Sequence, residues 1–408
     1  MIPAAVERRA RWVLDTVGGR ELGFGDDVPY SAEAWERVER GERPVGDDVA
    51  EAFFHLARIE ERGGRRDEHG RFRAEWSCLD PLDPPLERLR RKLGLDPRRW
   101  AGARFAVALT HDVDSPWRWT RIGIRGAAAR LKGHVLAGRV APALREARGL
   151  AGAPRHRLLG TDPNWRFERL LADERARSAS STFFVLAGHH DPHDGAAPEA
   201  YERLRPRLVE TLLEHGGEVG LHSSYRSAED SALLRRERDT LAQVMSVYTA
   251  ITRVAGHRFH YLRLDPHRHF GELAELGFAY DATLGFPDAP GFRAGIAHPF
   301  RPWDRERERP VDLIAIPLAA MDATLAETRY LGLSARAAWP RVARLLDWAA
   351  ANGGGFALLW HPDRFDPATS AGWDRLYYRV LEEVRARGGA CVSAGALADE
   401  ARAWLDGR

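Results

Sequence analysis

The stretch Phe105-Ala106-Val107-Ala108-Leu109-Thr110-His111-Asp112-Val113-Asp114-Ser115 changes character half-way along its length. Five apolar residues come first, and a polar group follows without a break. A short apolar run of this kind reads as a strand buried on both faces, the sort that fills a parallel sheet. Asp112 and Asp114 stand at i and i+2 on leaving the strand, so both carboxylates point the same way. One can then bind a metal ion while the other takes a proton from bound water. Loops are rich in Asp, so the pair gains weight only from what recurs elsewhere.

The pattern does recur. Apolar runs lie at 105–109, 182–186, 218–221, 253–256, 278–282, 313–317, 356–360 and 390–393, with helical periodicity between most of them, notably at 206–215, 233–248, 337–351 and 375–387. Strands alternating with helices mean βαβ units and a parallel sheet. Seven or eight units over about 300 residues favour a closed or nearly closed barrel. No Gly-x-Gly-x-x-Gly follows the first run, so a dinucleotide-binding sheet gains no support. Residues 1–100 read differently: helical patterns at 6–17, 49–59 and 85–93 are separated by Gly-, Asp- and Pro-rich turns, and Asp96-Pro97 marks a boundary. The expected architecture is α/β, with a small, mostly helical N-terminal domain or cap (1–100) and a barrel (101–408). Segment 67–73 (DEHGRFR) is expected to be an exposed loop.

The whole chain has 408 residues, a formal charge of +2, 44% hydrophobic and 29% charged residues. That is globular and excludes a generally basic nucleic-acid binder. Cys78 and Cys391 suit lone thiols rather than a disulfide framework. With no secretory h-region and no apolar run near the ~20 residues of a membrane span, the expectation is a soluble, cytoplasmic protein. One segment departs from neutrality: residues 117–157 hold ten Lys/Arg against the single acid Glu146, with Leu131, Val135, Leu136, Val140 and Leu144 interleaved. It is too long for a plain loop and is expected to be a helical insertion. Its basic face is either simply solvated or a contact for an anionic membrane surface, a lipid-linked substrate or a nucleotide.

Histidines collect where the apolar runs end. The third run leads into His222-Ser223-Ser224-Tyr225-Arg226, the fourth into His257-Arg258-Phe259-His260-Tyr261-Leu262-Arg263, and the seventh into His361-Pro362. A single histidine there is more often structural than catalytic. Repetition at successive strand ends, the rim where barrel active sites sit, reverses that balance. Neutral imidazole suits zinc and similar ions. His189, His190 and His193 follow the second run in a Gly/Asp/Pro-rich loop and suit a substrate loop or a solvated role. Trp303, Trp360, Tyr261 and Phe292 are candidates for a sugar-stacking platform, with burial in the core the blander reading of each.

Thr110-His111-Asp112-Val113-Asp114, Ser181-Thr182-Phe183-Phe184-Val185, Gly220-Leu221-His222-Ser223 and Leu359-Trp360-His361-Pro362 occur in an order that resembles the motifs of polysaccharide deacetylases, carbohydrate esterase family 4. The resemblance spans about residues 104–395 and implies a distorted (β/α)7 barrel. Segments 258–263, 280–286 and 291–295, with 67–72, are similar to a subgroup associated with bacterial surface glycans. Position by position, the resemblance implies Asp112 as general base, Asp114 and His222 as metal ligands, His361 as general acid and Arg258 as the residue orienting the base. Tyr225, Tyr261, Asp281 and Arg293 are then the candidates for substrate contact, with support of the residues behind the site the alternative for Asp281.

The family pattern His-Ser/Thr-x-x-His puts its second histidine at Arg226, and arginine cannot ligate a metal. His260, at the adjacent strand end, is the candidate replacement, ahead of Tyr225. The resulting expectation is a hydrolase dependent on a divalent metal, most simply Zn2+, that removes N-acetyl groups from an amino sugar in a glycan or glycan precursor. Two alternatives stand beside it: a non-catalytic glycan-binding relative, prompted by Arg226, and an amidohydrolase on a small non-sugar amide.

Overall fold

A computed structural model describes residues 2–195, 198–250, 253–367 and 369–407. Its centre is a nine-stranded, wholly parallel sheet. The strands are β1 (Ala106–Val113), β2 (Thr182–Leu186), β3 (Glu218–Ser223), β4 (Gly256–Phe259), β5 (Tyr280–Asp281), β6 (Ile314–Ala315), β7 (Leu318–Met321), β8 (Gly355–Leu359) and β9 (Ala390–Val392). They follow the order β6-β5-β4-β3-β2-β1-β8-β7, and β9 pairs with the first half of β1.

This order demands a closed form. β6 and β7 are at opposite edges of the path, yet only Ile316 and Pro317 separate them. Two intervening residues span at most about 11 Å. A flat sheet of eight strands would hold its edges about 34 Å apart. The sheet is therefore curled until its edges meet, and the seam is fastened where Leu318 N–H donates to Leu284 O at 2.9 Å. Gly285 permits that approach, since a Cβ there would stand 2.7 Å from Leu318 O. The barrel is thus as expected, with two differences in its strands. The run at 313–317 does not end at Pro317 but continues as β7. The fourth strand begins at Gly256, later than 253–256, so His257 and Arg258 lie inside it and not beyond it.

Side-chain alternation sorts the strands as buried parallel sheets require. Ala106, Ala108, Phe184, Tyr280, Ile314, Ala357 and Leu359 share the cluster inside the barrel. Val107, Leu109, Phe183, Val185, Val219 and Leu221 belong to the larger cluster under the surrounding helices. Four helices precede the barrel: α1 (Ala4–Val17), α2 (Ala32–Glu39), α3 (Asp48–Leu56) and α4 (Pro85–Lys92). They share that larger core, with Trp12, Trp35 and Phe53 packed among Phe292, Phe300 and Trp303. The 117–157 segment is a helical hairpin, α5 (Arg121–Leu136) and α6 (Val140–Leu159). The remaining helices are α7 (Phe167–Arg175), α8 (Pro198–Glu214), α9 (Ser231–Met245), α10 (His269–Glu275), α11 (Asp322–Ala326), α12 (Ala335–Asn352), α13 (Trp373–Ala386) and α14 (Ala394–Leu405).

The 67–73 loop is not exposed as expected, because His69, Arg71 and Phe72 are buried. The loop can be buried because Asp67 Oδ1 accepts from the N–H groups of His69 (3.0 Å) and Arg71 (2.9 Å), satisfying the turn internally. Arg293, a candidate substrate contact, proves structural. It is fully buried, with Nε 2.8 Å from Glu61 Oε1 and Nη2 2.6 Å from Glu61 Oε2, and Arg58 Nε reaches the same Oε1 at 2.8 Å. One carboxylate thus joins the helical cap to the barrel through the Arg293 guanidinium and pairs with Arg58 within the cap.

Burial alone would raise the Glu61 pKa, but Arg293 and Arg58 outweigh it and hold the carboxyl at about 2, below its ordinary 4.5. The stability this pairing contributes is complete above about pH 4.5 and is lost as the pH falls toward about 2. Glu61→Gln leaves two buried arginines underpaired and should cost about 3 kcal/mol or more at neutral pH. Denaturant midpoints of the two proteins should converge as the pH is lowered through that window, and a gap that stays constant would contradict the assignment.

Candidate metal centre and active-site cleft

In β1, Thr110 and Asp112 face the barrel axis, and Arg258 Nη1 donates to Thr110 Oγ1 at 3.0 Å and Asp112 Oδ1 at 3.1 Å. Arg258 is fully buried over the Phe184 ring. His111 points the other way, stacked on Phe183 with Nε2 3.0 Å from Glu174 Oε1, and belongs to the core.

In the parallel register His222 lies opposite Arg258. His222 Nδ1 is 3.0 Å from Arg258 O. A carbonyl only accepts, so Nδ1 carries the hydrogen and Nε2 presents a lone pair. That Nε2 stands 3.3 Å from Asp114 Oδ1 and 3.6 Å from Asp112 Oδ2. His260, just past β4, is held in the same manner: Nδ1 meets Asp194 Oδ1 at 3.0 Å, and Nε2 stands 3.7 Å from Asp114 Oδ1. Ligand atoms of Asp114, His222 and His260 all lie within 4.8 Å of one another.

Acceptor atoms facing each other at these distances repel unless a cation lies among them. Asp114 Oδ1 and His222 Nε2 are buried with no hydrogen-bond partner, so the protein itself leaves the demand unanswered. Either the imidazoles take up protons or a metal ion fills the position. The electrostatics show the same tension. Burial opposes ionisation of Asp114, yet the surrounding His260, His222 and His361 hold its carboxyl far below the ordinary value. Burial likewise opposes charge on His222, and Asp112 and Asp114 raise its pKa nonetheless. One carboxylate and two imidazoles are donors of the kinds that bind zinc and similar divalent ions. The residues fit a divalent metal. Arg226, at the position where the family pattern puts its second histidine, is exposed and paired with Asp191 at 3.2 Å.

Opposite this cluster stands His361, just past β8. Its Nδ1 is 2.7 Å from Asp322 Oδ1, and its Nε2 is 3.6 Å from Asp114 Oδ2. Burial would lower its pKa, but Asp322, then Asp114 and Asp112, push it up to about 10. Asp322 opens α11 directly after β7, is fully buried, and also accepts from Arg364 Nε at 3.1 Å.

Tyr261 lines the cleft beside these groups, at φ +58° and followed by Leu262 at +56°. Consecutive non-glycine residues in this region are costly, and such strain gathers at functional rims. Here it is held by Arg71 Nη1 donating to Tyr261 O at 3.2 Å. The cleft measures about 270 Å³, with Arg71, Arg329 and Tyr330 completing its wall. A neighbouring cavity of about 390 Å³ shares Asp114, Ser115, Gly195 and Asp363 with it. Tyr225 stands outside the cleft, its ring stacked on His193 and its hydroxyl 3.0 Å from His69 Nδ1. It therefore supports the wall and is not a ligand. Asp281 cannot touch substrate: it is fully buried, with Oδ2 2.8 Å from His257 Nδ1 and 2.6 Å from Thr283 Oγ1. Trp303, Trp360 and Phe292 are core residues, not a sugar platform.

Two residues that orient the site escaped the sequence reading. Asp194 sits in the Gly/Asp/Pro-rich loop, where the histidines drew attention instead. Asp322 follows the apolar run 313–321, whose continuation beyond Pro317 was its one signal.

No family model and no curated protein matches the chain. Among solved structures it is similar to PuuE allantoinase, at 14% identity, covering 75% of this chain and 94% of that one with a TM-score of 0.47. It is also similar to a probable polysaccharide deacetylase from Pseudomonas aeruginosa PAO1, at 16% identity, covering 76% and 96% with a TM-score of 0.47. The reading of function rests on the site itself.

His260→Ala should abolish stoichiometric metal binding, measured by elemental analysis after zinc loading and desalting. Asp194→Asn, which removes the charge of the carboxylate that holds His260 Nδ1 and also accepts from the N–H groups of His190, Asp191 and Tyr225, should weaken zinc affinity by about 10- to 100-fold. Unchanged zinc affinity in both variants would remove His260 from the site.

Proposed function

We propose that this chain is a metal-dependent amide hydrolase that removes the acetyl group from an N-acetylated amino sugar of a glycan or glycan precursor. The observation that carries the reading is the convergence of ligand atoms from Asp114, His222 and His260, with Asp114 Oδ1 and His222 Nε2 buried and unpartnered, Asp112 on one side and His361 on the other. The motif resemblance read from the sequence supports the acetyl group and the sugar.

A divalent metal held by Asp114, His222 and His260 would supply Lewis-acid polarisation of the amide carbonyl and a lowered pKa for water. The remaining work falls to the chain's own groups. Arg258 fixes Asp112 through Oδ1, which leaves Oδ2 turned toward the cleft to take the proton of the attacking water. Water oxygen bonds to the carbonyl carbon as that proton leaves. When the C–N bond breaks, the amine nitrogen needs a proton, and His361 Nε2 faces the cleft to give it. Asp322 holds the Nδ1–H of that ring and favours its charged form before the transfer. The products are acetate and a free amino sugar. The limited cleft volume suits a single ring at the reacting position, with the neighbouring cavity left for whatever the ring is attached to. The approach of His260 Nε2 to Asp114 Oδ1, at 3.7 Å, supports the catalytic reading over the non-catalytic one that Arg226 prompts.

The test is acetate release by the zinc-loaded protein from N-acetyl amino sugars, set against a panel of small cyclic amides and ureides. Release from the sugars is expected. Hydrolysis confined to the small amides would overturn the substrate class, and none from either panel would overturn the enzyme. Asp112→Asn should keep its metal and lose about 10²- to 10⁴-fold in turnover. Asp322→Asn should keep both metal and KM, and lose roughly 10- to 100-fold in kcat as the positioned proton donor is released. Loss of metal from Asp112→Asn would show that Asp112 is a ligand and not the base.

A further inference from the structure

The α5–α6 hairpin lies outside this chemistry, and its surface is unlike the rest of the molecule. Of the large hydrophobic side chains exposed among the described residues, Ile122, Val135, Leu136, Val140, Leu144, Leu158 and Leu159 are on the hairpin; Val45 and Val247 are the others. Leu136 is 77% exposed and Leu158 86%. At about 100° per residue, Val140, Leu144 and Leu158 fall within about 40° of one another around α6. Ile122 and Leu136 likewise share a face of α5. The hairpin's own core is small, built on Trp119, Ala127 and Ala153.

The charges complete the pattern. The segment's acid, Glu146, is buried and paired with Arg118 at 2.8 Å and Arg130 at 2.6 Å. Arg121, Arg125, Lys132, Arg139, Arg145, Arg148, Arg155 and Arg157 have no acidic partner among the described residues. Apolar side chains and unpaired cations are thus displayed together on one thin element. An anionic bilayer offers both complements in one place: acyl chains for the leucines and valines, and phosphates for guanidinium groups reaching back to the interface.

We propose that the α5–α6 hairpin is a reversible docking element for an anionic lipid bilayer, with Val135, Leu136 and Val140 at its tip entering the interface. The hairpin's base meets the route to the site. A cavity of about 830 Å³ lined by Trp117, Arg121, Arg125, Arg157 and Arg203 shares Trp117 and Thr120 with the cavity that reaches Asp114. On the hydrolase reading, a sugar carried on a membrane-borne anionic group would enter there; docking itself does not depend on that reading.

The experiment is vesicle co-sedimentation of the full chain with phosphatidylcholine alone and with about one-third phosphatidylglycerol added, a composition that gives a negative surface potential. Binding is expected on the anionic vesicles at low ionic strength, at least about tenfold weaker on the neutral ones and at about 0.5 M salt, where charges are screened within a few Å. Lys132→Glu/Arg139→Glu/Arg148→Glu should bind about 100-fold more weakly, at roughly fivefold per cation. Leu136→Asp/Val140→Asp should lose at least about tenfold. Both should keep the wild-type unfolding midpoint and the wild-type rate on a soluble acetylated substrate, because these side chains are exposed. No wild-type binding at low salt, equal binding to neutral vesicles, or wild-type binding by both variants would overturn the proposal. So would a dimer in sedimentation velocity that Leu136→Asp/Val140→Asp dissolves, which would give the face to a second copy of the chain.

Discussion

The two-residue link Ile316-Pro317 imposes the constraint on which the rest of the structure depends. It joins the opposite edges of the strand path, so the sheet closes, and every strand delivers its carboxyl end to one small rim. Parallel pairing then decides what meets there. His222 and Arg258 are register partners on β3 and β4, while His361 and Asp322 leave β8 and β7, which pair with each other. β8 pairs directly with β1, and the curl turns the carboxyl ends inward until His361 Nε2 and His222 Nε2 stand 3.6 and 3.3 Å from the two oxygens of one carboxylate, Asp114. In a flat sheet the ends of β3 and β8 would stand three strands, about 14 Å, apart.

Within the rim, the polar groups divide into those that are satisfied and those that are not. Asp112 has Arg258, His260 has Asp194, and His361 has Asp322. Each partner fixes one side of a functional group and turns its other side toward the cleft. Burial makes this arrangement costly for any group left over. The leftovers, Asp114 Oδ1 and His222 Nε2, are adjacent and of the kinds that bind a divalent ion. The unsatisfied atoms and the anchoring pairs are therefore two aspects of one arrangement: rigid orientation of the outer nitrogen or oxygen produces a fixed, unpaired inner one.

Much of this was legible in the sequence, for physical reasons that can be named. Buried parallel strands are short apolar runs, and residues that leave them at i and i+2 share a side, so Asp112, Asp114, His222 and His361 could be placed at the rim before any coordinates. His260 could be named because it ends the strand next to His222. Arg293 and Asp281 were misread as substrate contacts because a charged residue near a strand end looks alike whether it faces a cleft or a partner. Glu61, 232 residues away from Arg293, and His257, 24 residues away from Asp281, decide the matter through contacts no local pattern records. Asp322 was missed for a similar reason. Pro317 punctuates the run as a strand end would, and only the sheet order shows that a second strand follows.

The 67–73 loop shows how the N-terminal segment enters the site without supplying chemistry to it. Arg71 donates to Tyr261 O, and Arg263 Nε donates back to His69 O at 2.8 Å, so cap and barrel rim grip each other at two points. Tyr261 and Leu262 both sit at positive φ, a conformation that would relax if the rim were free. Tyr261 directly follows His260, so relaxation there would swing the imidazole whose Nδ1 Asp194 holds and whose Nε2 faces Asp114. The cap thus acts as the second jaw on a strained turn whose first jaw is the Asp194 carboxylate. With both in place, His260 Nε2 is fixed toward Asp114 and His222.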